Sequence, residues 1–476
     1  MELHKNLIDG EWVGGEAVEN INPSNTGDVV GLYARATRAD ADRAIAAAKA
    51  AAPAWARSGI YQRHQILRAA ADEMFRRKDE IGRLLSREEG KTLPEGIGEA
   101  TRAAQIFDFF AGEALRLVGE TVPSVRPGIG VEMTREPIGV VGLITPWNFP
   151  IAIPAWKMAP AICHGNTVII KPADLVPGCS WAIVDILHRA GLPKGVVNLV
   201  MGKGSVVGQA LLESPDVNAI SFTGSQATGQ KVAEASVKVL RKFQLEMGGK
   251  NPLVVLDDAD LITAVECAIN GAFFSTGQRC TASSRLIVTE GIHDKFVAAV
   301  TERLRALKTD DALKEGTHIG PVVDPGQLKQ DQDYIEIGEQ EGAKLFGGER
   351  VERDTPGYYL TPALFTEATN DMRISREEIF GPVASVIRVK DYDEALATAN
   401  ATPFGLSSGI VTTSLKYATD FKRNAQAGMV MVNVPTAGVD FHVPFGGSKG
   451  SSYGPREQGR YAAEFFTTVK TAYVKA

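Results

Sequence analysis

The sequence predicts an α/β protein: two doubly wound α/β domains with a β-hairpin arm leaving the first. Strand, turn and helix alternate repeatedly between residues 139 and 236, each apolar run ending in a Pro- or Gly-containing turn. The alternation restarts after Gly249, and a Pro/Gly-punctuated stretch at 121–141 carries short β-prone runs on either side of Pro127-Gly128. A length of 476 residues also exceeds what one hydrophobic core usually holds. The first domain is assigned to 1–120 and 142–248 and the second to 249–447, with ligands expected at the carboxyl ends of the parallel strands.

Taken in order, residues 7–13 read as a β-prone segment around an Asp9-Gly10 turn, and the chain to Tyr33 reads as loop, with Pro23, Ser24, Asn25 and Gly27. Residues 40–55, 62–86 and 95–117 have helix-forming composition and apolar residues three and four apart, so that Ile66, Leu67, Ala70 and Met74 share a face. The strand at 139–145 is broken by Pro146 and Pro150 before a helix that runs to Ile162. A second strand at 166–171 stops at Pro172, and a helix follows at 180–189. The strand at 196–200 leads into Gly202-Lys203-Gly204-Ser205-Val206-Val207-Gly208, and the strand at 219–222 into Thr223-Gly224-Ser225 and a helix to Ser236. In the second domain, 252–256 is a strand and Asp258 the expected N-cap of a helix at 259–274. Residues 293–307 form an amphipathic helix, 436–442 a loop returning towards the cleft, and 467–474 a strand paired with the hairpin.

A net charge of −6 with no long run of one sign argues against a nucleic-acid footprint or a membrane-surface patch. There is no apolar signal core and no membrane-length apolar stretch, so a cytoplasmic location is expected. Cys163, Cys179, Cys267 and Cys280 show neither Cys-x-x-Cys pairing nor metal spacing with His, so no metal site and no disulfide are expected.

Cys280 differs from the other cysteines in its setting. It lies in Ser-Thr-Gly-Gln-Arg-Cys-Thr-Ala-Ser-Ser-Arg, among small polar residues where a substrate reaches a thiol. Upstream are an isolated carboxylate, Glu246, in Leu-Glu-Met-Gly-Gly-Lys, and an amide, Asn148, in Thr-Pro-Trp-Asn-Phe-Pro. Thiol, carboxylate and amide are what acyl chemistry through a thioester requires: nucleophile, base for the deacylating water, and oxyanion donor. Glu246 and Asn148 fall in the first domain and Cys280 in the second, which puts the site in the cleft between them. The turn holding Gly202, Gly204 and Gly208 differs by one position from the Gly-x-Gly-x-x-Gly dinucleotide pattern and lacks the usual acidic residue beyond it. From the residues alone it is equally a nucleotide site or a plain turn.

These stretches, together with Phe222-Thr223-Gly224-Ser225, Glu377-Glu378-Ile379-Phe380-Gly381-Pro382 and Pro444-Phe445-Gly446-Gly447, resemble the aldehyde dehydrogenase superfamily over essentially the whole chain. The resemblance implies oxidation of an aldehyde to an acid with NAD or NADP. It implies cofactor contacts from Ile144, Thr145, Trp147, Gly204, Gly208, Phe222, Gly224 and Ser225, with Glu378 and Phe380 at the nicotinamide end. Lys171 and the acidic residue three positions on hold the adenosine ribose in this family. That residue is usually Glu but here is Asp174, whose shorter reach leaves both cofactors open. Lys157 and Arg279 are the cations expected to contribute to lowering the thiol pKa, and Trp156 and Phe445 are expected at the substrate site.

Arg279, directly before the nucleophile, is also expected to pair with an anionic substrate; the alternative is a structural salt bridge, which leaves a general aldehyde dehydrogenase with Phe149, Trp156, Phe274 and Phe445 lining an apolar tunnel. Gly438-Val439-Asp440-Phe441-His442-Val443-Pro444 and Ser451-Ser452-Tyr453-Gly454-Pro455-Arg456-Glu457 resemble members acting on 2,5-dioxopentanoate, with another small anionic aldehyde or a broad aldehyde range as the alternatives. Residues 121–141 and 448–476 correspond to an oligomerisation arm, which implies a homodimer or homotetramer. CoA-acylating relatives lack the Glu at position 246, and a non-catalytic scaffold has no need of the triad.

Overall fold

The computed structural model describes residues 1–475. Its first large sheet has a parallel centre in the order Lys242–Glu246, Ala219–Thr223, Val140–Ile144, Thr167–Lys171 and Val197–Leu199. Strand order runs outward in both directions from Val140–Ile144, so a crevice opens at the carboxyl ends of that strand and of Ala219–Thr223. Both faces are covered, and alternate residues go to opposite cores: Val168 and Ile170 pack with Leu67, Met74, Phe107 and Ile183, while Ile169 packs with Ile45, Ile220 and Val232. The helices Ile60–Arg76, Leu93–Ala114, Ala152–Cys163 and Pro177–Arg189 contribute to the first core. Arg38–Ala56 and Gln226–Lys238 contribute to the second.

The second large sheet runs Lys344–Gly347, Ala363–Ala368, Val383–Val389, Ser283–Thr289, Asn251–Val255, Ser407–Val411 and Met429–Val432, parallel except at its first pair. A third, antiparallel sheet joins Thr467–Lys475 to the hairpin strands Ile129–Pro137 and Glu120–Pro123, with Thr467 opposite Pro137 and Lys475 opposite Ile129. Val469, Tyr473 and Val474 are exposed on it, and Val125 in the turn that joins the two hairpin strands.

Several expectations need correction. The stretch read as loop before Tyr33 contains the strands Glu16–Asn22 and Asn25–Arg35, which pair through two register shifts. Irregular pairing hides the period of two. The helix expected at 62–86 is two, Ile60–Arg76 and Lys78–Glu89, broken at Arg77, whose guanidinium bonds to Glu73 on one side and Glu80 on the other. The N-cap of Leu261–Phe273 is Asp260, which accepts from the Thr263 N–H. Asp258 instead takes hydrogen bonds from Thr412 and Thr413. Not all of 448–476 belongs with the arm: Ser452–Tyr453 pairs with Lys242–Glu246 at the edge of the first sheet, and Ser448–Lys449 with Phe404–Gly405.

Candidate active site

The helix Leu261–Phe273 aims its carboxyl end at the cleft, and the chain then turns sharply through three left-handed residues, Ser275 (φ 51°), Thr276 (φ 57°) and Gly277 (φ 66°). A side chain on Gly277 would collide with the Gly381 carbonyl. Left-handed Ser and Thr cost about 1–2 kcal/mol each, and neighbours hold them there. The Ser275 N–H and hydroxyl donate to Glu95 Oε1 (2.8 and 3.0 Å), and Thr276 Oγ1 donates to the Gly320 carbonyl (3.2 Å). Strain held in this way at the approach to a reactive group is a mark of a functional turn.

Cys280 follows, partly exposed, while the other three cysteines are buried. Its carbonyl accepts from Asn251 Nδ2 at 2.8 Å. Asn148, on the loop after Val140–Ile144, donates from Nδ2 to the Gln278 carbonyl at 3.0 Å, which joins it to the nucleophile turn and leaves its second amide hydrogen for another acceptor. Glu246 ends its strand and accepts from Ser452 Oγ at 2.6 Å. Burial first, and then the negative charge of Glu457, hold the Glu246 carboxyl well above the usual carboxylate range, against the opposing pull of Ser452, Lys157 and Arg456. Glu378 accepts from the Gly249 N–H at 2.8 Å, and burial pushes it to about 7. Its carboxylate lies so close to Gly248 that a side chain there would have to displace it.

The electrostatics correct one expectation. Burial, then the carboxylates of Glu378 and Glu246, push the Cys280 thiol up to about 12 rather than down. The two cations expected to lower it are engaged with carboxylates of their own. Lys157 is fully buried, donates to Ser221 Oγ at 2.7 Å and is ion-paired with Glu457. Arg279 donates to the Asn270 carbonyl and side chain, to Ser275 Oγ at 2.9 Å, and to Glu95 at 3.4 Å. Its guanidinium is thus held by the protein, in the arrangement of the structural salt bridge that was the alternative to a substrate contact. Trp156 and Phe445 do meet, with ring centroids 5.4 Å apart, and Trp156 Nε1 donates to Glu457 Oε2 at 2.6 Å.

On the cofactor side, Thr145 and Thr223 stand at the strand ends that flank the crevice, and each has a buried hydroxyl oxygen without a partner. Space is open where a side chain on Gly204 or Gly208 would project, so a ligand approaches the backbone there unhindered. Ser225 caps the helix Gln226–Lys238, its Oγ accepting from the Thr228 N–H, and Gly224 lies tight against the Phe222 ring. Lys171 Nζ donates to the Pro172 carbonyl at 2.6 Å and to Asp174 Oδ1 at 3.2 Å, with Asp174 half-exposed. Ile144 ends the central strand beside Thr145. Trp147 and Phe380 come edge to face at 5.3 Å, and Phe380 is itself left-handed (φ 66°). Orphaned hydroxyls, open glycines and a capped helix start on one rim fit a dinucleotide diphosphate.

Two residues with no assigned role in the sequence reading take central positions. Glu457 ties Lys157, Trp156 and Ser221 together and lies near Glu246. It was visible only within a tail motif, because pairing across some 300 positions leaves no local pattern. Glu95, which anchors the nucleophile turn, was legible only as the end of the capping box Thr92-x-x-Glu95.

Residues 12–472 match the model of the aldehyde dehydrogenase family. The alpha-ketoglutaric semialdehyde dehydrogenase of Bacillus subtilis (strain 168) is 47% identical over 476 residues, covering 99% of this chain and 98% of that protein. The crystal structure of NAD-dependent aldehyde dehydrogenase from Sinorhizobium meliloti superposes with a TM-score of 0.97 at 36% identity, covering 100% of this chain and 95% of that one. An E. coli NADP dependent enzyme superposes at 0.96 with 34% identity, covering 99% and 98%.

Proposed function

The chain belongs to the aldehyde dehydrogenase family, and from that premise we propose that it oxidises 2,5-dioxopentanoate to 2-oxoglutarate through a thioester on Cys280. Oxidation of an aldehyde to an acid with NAD or NADP is the activity of the family. The specific substrate is supported by full-length similarity to the B. subtilis semialdehyde dehydrogenase. The observation that carries the chemistry is the tie of Asn148 to the turn bearing Cys280, with Glu246 ending a strand two places along the sheet from the one that leads to Asn148.

In this reading the Cys280 thiolate adds to the aldehyde carbon, and the oxyanion accepts from the free Asn148 amide hydrogen and the Cys280 N–H. When bound, NAD or NADP supplies the acceptor for the hydride that the hemithioacetal gives up. Lys171 and Asp174 hold the ribose of that cofactor, the Ser225 helix start and the open glycines its diphosphate, and Glu378 with Phe380 the nicotinamide end. Glu246 takes a proton from water, the resulting hydroxide releases the thioester as the acid, and the proton passes towards Glu457 and Lys157. A carboxylate at position 246 favours hydrolysis over transfer to CoA. The exposed arm sheet supports a homodimer or homotetramer, and four free cysteines support a reducing cytoplasm.

A panel of 2,5-dioxopentanoate, succinate semialdehyde, glyceraldehyde 3-phosphate and uncharged aldehydes of equal length tests the substrate. The highest kcat/KM is expected for 2,5-dioxopentanoate, and equal or better values for the uncharged aldehydes would return the protein to a broad aldehyde range. Cofactor choice has its own test. Asp174→Glu restores reach to the ribose 2′-hydroxyl and crowds a 2′-phosphate, so the ratio of kcat/KM for NAD over NADP is expected to rise about tenfold, the size of one modest charge-assisted hydrogen bond. A constant or falling ratio would remove Asp174 from cofactor selection.

A further inference from the structure

The helix Leu93–Ala114 presents Glu95, Glu99 and Arg102 at i, i+4 and i+7, on one face. The first two already bind the cleft: Glu95 holds Ser275 and Arg279, and Glu99 Oε1 accepts from the N–H groups of Ile151 and Ala152 (3.2 and 3.1 Å), at the start of the helix carrying Trp156 and Lys157. Arg102 is the next on this face. Its guanidinium carbon lies 5.8 Å from the centre of the Trp156 ring, which packs in turn on Phe445. Among the described residues it makes no ion pair. Its one side-chain hydrogen bond runs from Nη2 to Gln458 Oε1 at 3.1 Å, and its Nε is buried without a partner.

Gln458 is 0% exposed, held left-handed (φ 61°) beside the reciprocal backbone pair of Phe445 and Glu457 (2.7 and 2.9 Å). Its Nε2 is likewise buried and without a partner. Among the described residues, Gln458, fully buried, and Arg102, partly buried, thus each keep a buried N–H donor without a partner, and Arg102 makes no ion pair. Buried donors in native proteins almost always find acceptors, and a cation drawn partly out of water gains from a carboxylate partner. A carboxylate is an acceptor-only anion that meets both needs. Burial lowers the Arg102 pKa, against the opposing pull of Glu99, Asp440 and Cys280.

We propose that Arg102, seconded by Gln458, receives the carboxylate at the far end of the substrate while Cys280 attacks its aldehyde, with Trp156 and Phe445 lining the apolar span between. Arg279 is already engaged by Asn270, Ser275 and Glu95, whereas Arg102 has no ion pair among the described residues. The proposal rests on the anionic substrate argued above and assigns the residue that selects it.

The test is kcat/KM for 2,5-dioxopentanoate and for pentanal in the wild type, Arg102→Met, Arg102→Lys and Gln458→Leu, with folding checked by circular dichroism and Tm. The wild type is expected to prefer the anion. Arg102→Met is expected to cut that preference about 100-fold, chiefly through KM, and Arg102→Lys and Gln458→Leu about tenfold, from the strength of hydrogen bonds to charged groups. An unchanged preference in Arg102→Met, or equal losses on both aldehydes, would overturn the assignment. Should the Met variant not fold, an unchanged preference in Arg102→Lys would overturn it equally. A wild type without preference for the anion would instead remove the substrate reading itself, and the receptor with it.

Discussion

Cys280→Ala is expected to lower aldehyde oxidation by at least about ten-thousand-fold, as removal of an activated nucleophile does, while NAD(P) binding followed by fluorescence titration persists. The expectation comes from the uniqueness of the thiol's surroundings. Cys163 and Cys179 are 0% exposed and Cys267 3%, and burial drives the pKa of each upward, so none of them offers a thiolate to a substrate. Cys280 alone is partly exposed, beside an amide aimed at its turn. Its own thiol is nevertheless pushed to about 12 by burial and by Glu378 and Glu246. The nucleophile is therefore held mostly protonated until a carboxylate takes its proton or the local charge changes. Alkylation with iodoacetamide should accelerate with pH across the neutral range and be confined to Cys280. Modification of another cysteine with loss of activity, or a Cys280→Ala variant that turns over, would move the nucleophile elsewhere.

The parts of this design that were legible in the sequence are local. Thr223-Gly224-Ser225 declares a helix start because an N-cap and its first turn are a few residues long, and the helix Gln226–Lys238 follows it as read, with Ser225 as its cap. The alternation of 139–236 declares the parallel sheet for the same reason, since each buried strand is one short apolar run. The partner of each cation was not legible. Arg279 and Lys157 stand in the motifs as free positive charges beside a thiol, and only the fold brings Glu95 from one helix and Glu457 from the tail to neutralise them. Arg102 had no motif at all. Its significance lies in what it lacks, a counter-ion, and a missing partner shows only when all the neighbours are in place.

Replacing Glu246 by Gln should separate the two halves of the reaction. The amide is nearly the same size and keeps a carbonyl for the Ser452 hydroxyl at Oε2, so the site is expected to stay assembled. It cannot accept a proton from water. Acylation is therefore expected to proceed as a burst approaching one NAD(P)H per active site, with the steady rate reduced by about a hundred- to ten-thousand-fold, the range typical of general base catalysis. The pH dependence follows from the direction of the shift. Burial and Glu457 raise the Glu246 pKa, so its protonated, inactive form persists above the usual carboxylate range, and steady turnover in the wild type climbs as pH rises through that raised pKa. The variant should lose this ascending limb. Glu378 supplies the control, since it is, with Glu457, another carboxylate that raises the Cys280 pKa, and it lies at about 7. If Glu246→Gln turned over normally while Glu378→Gln stalled after a burst, the deacylating base would be Glu378. If Glu246→Gln gave no burst at all, the proton that Glu246 takes first would be the one on the Cys280 thiol, and one carboxylate would serve both halves of the reaction.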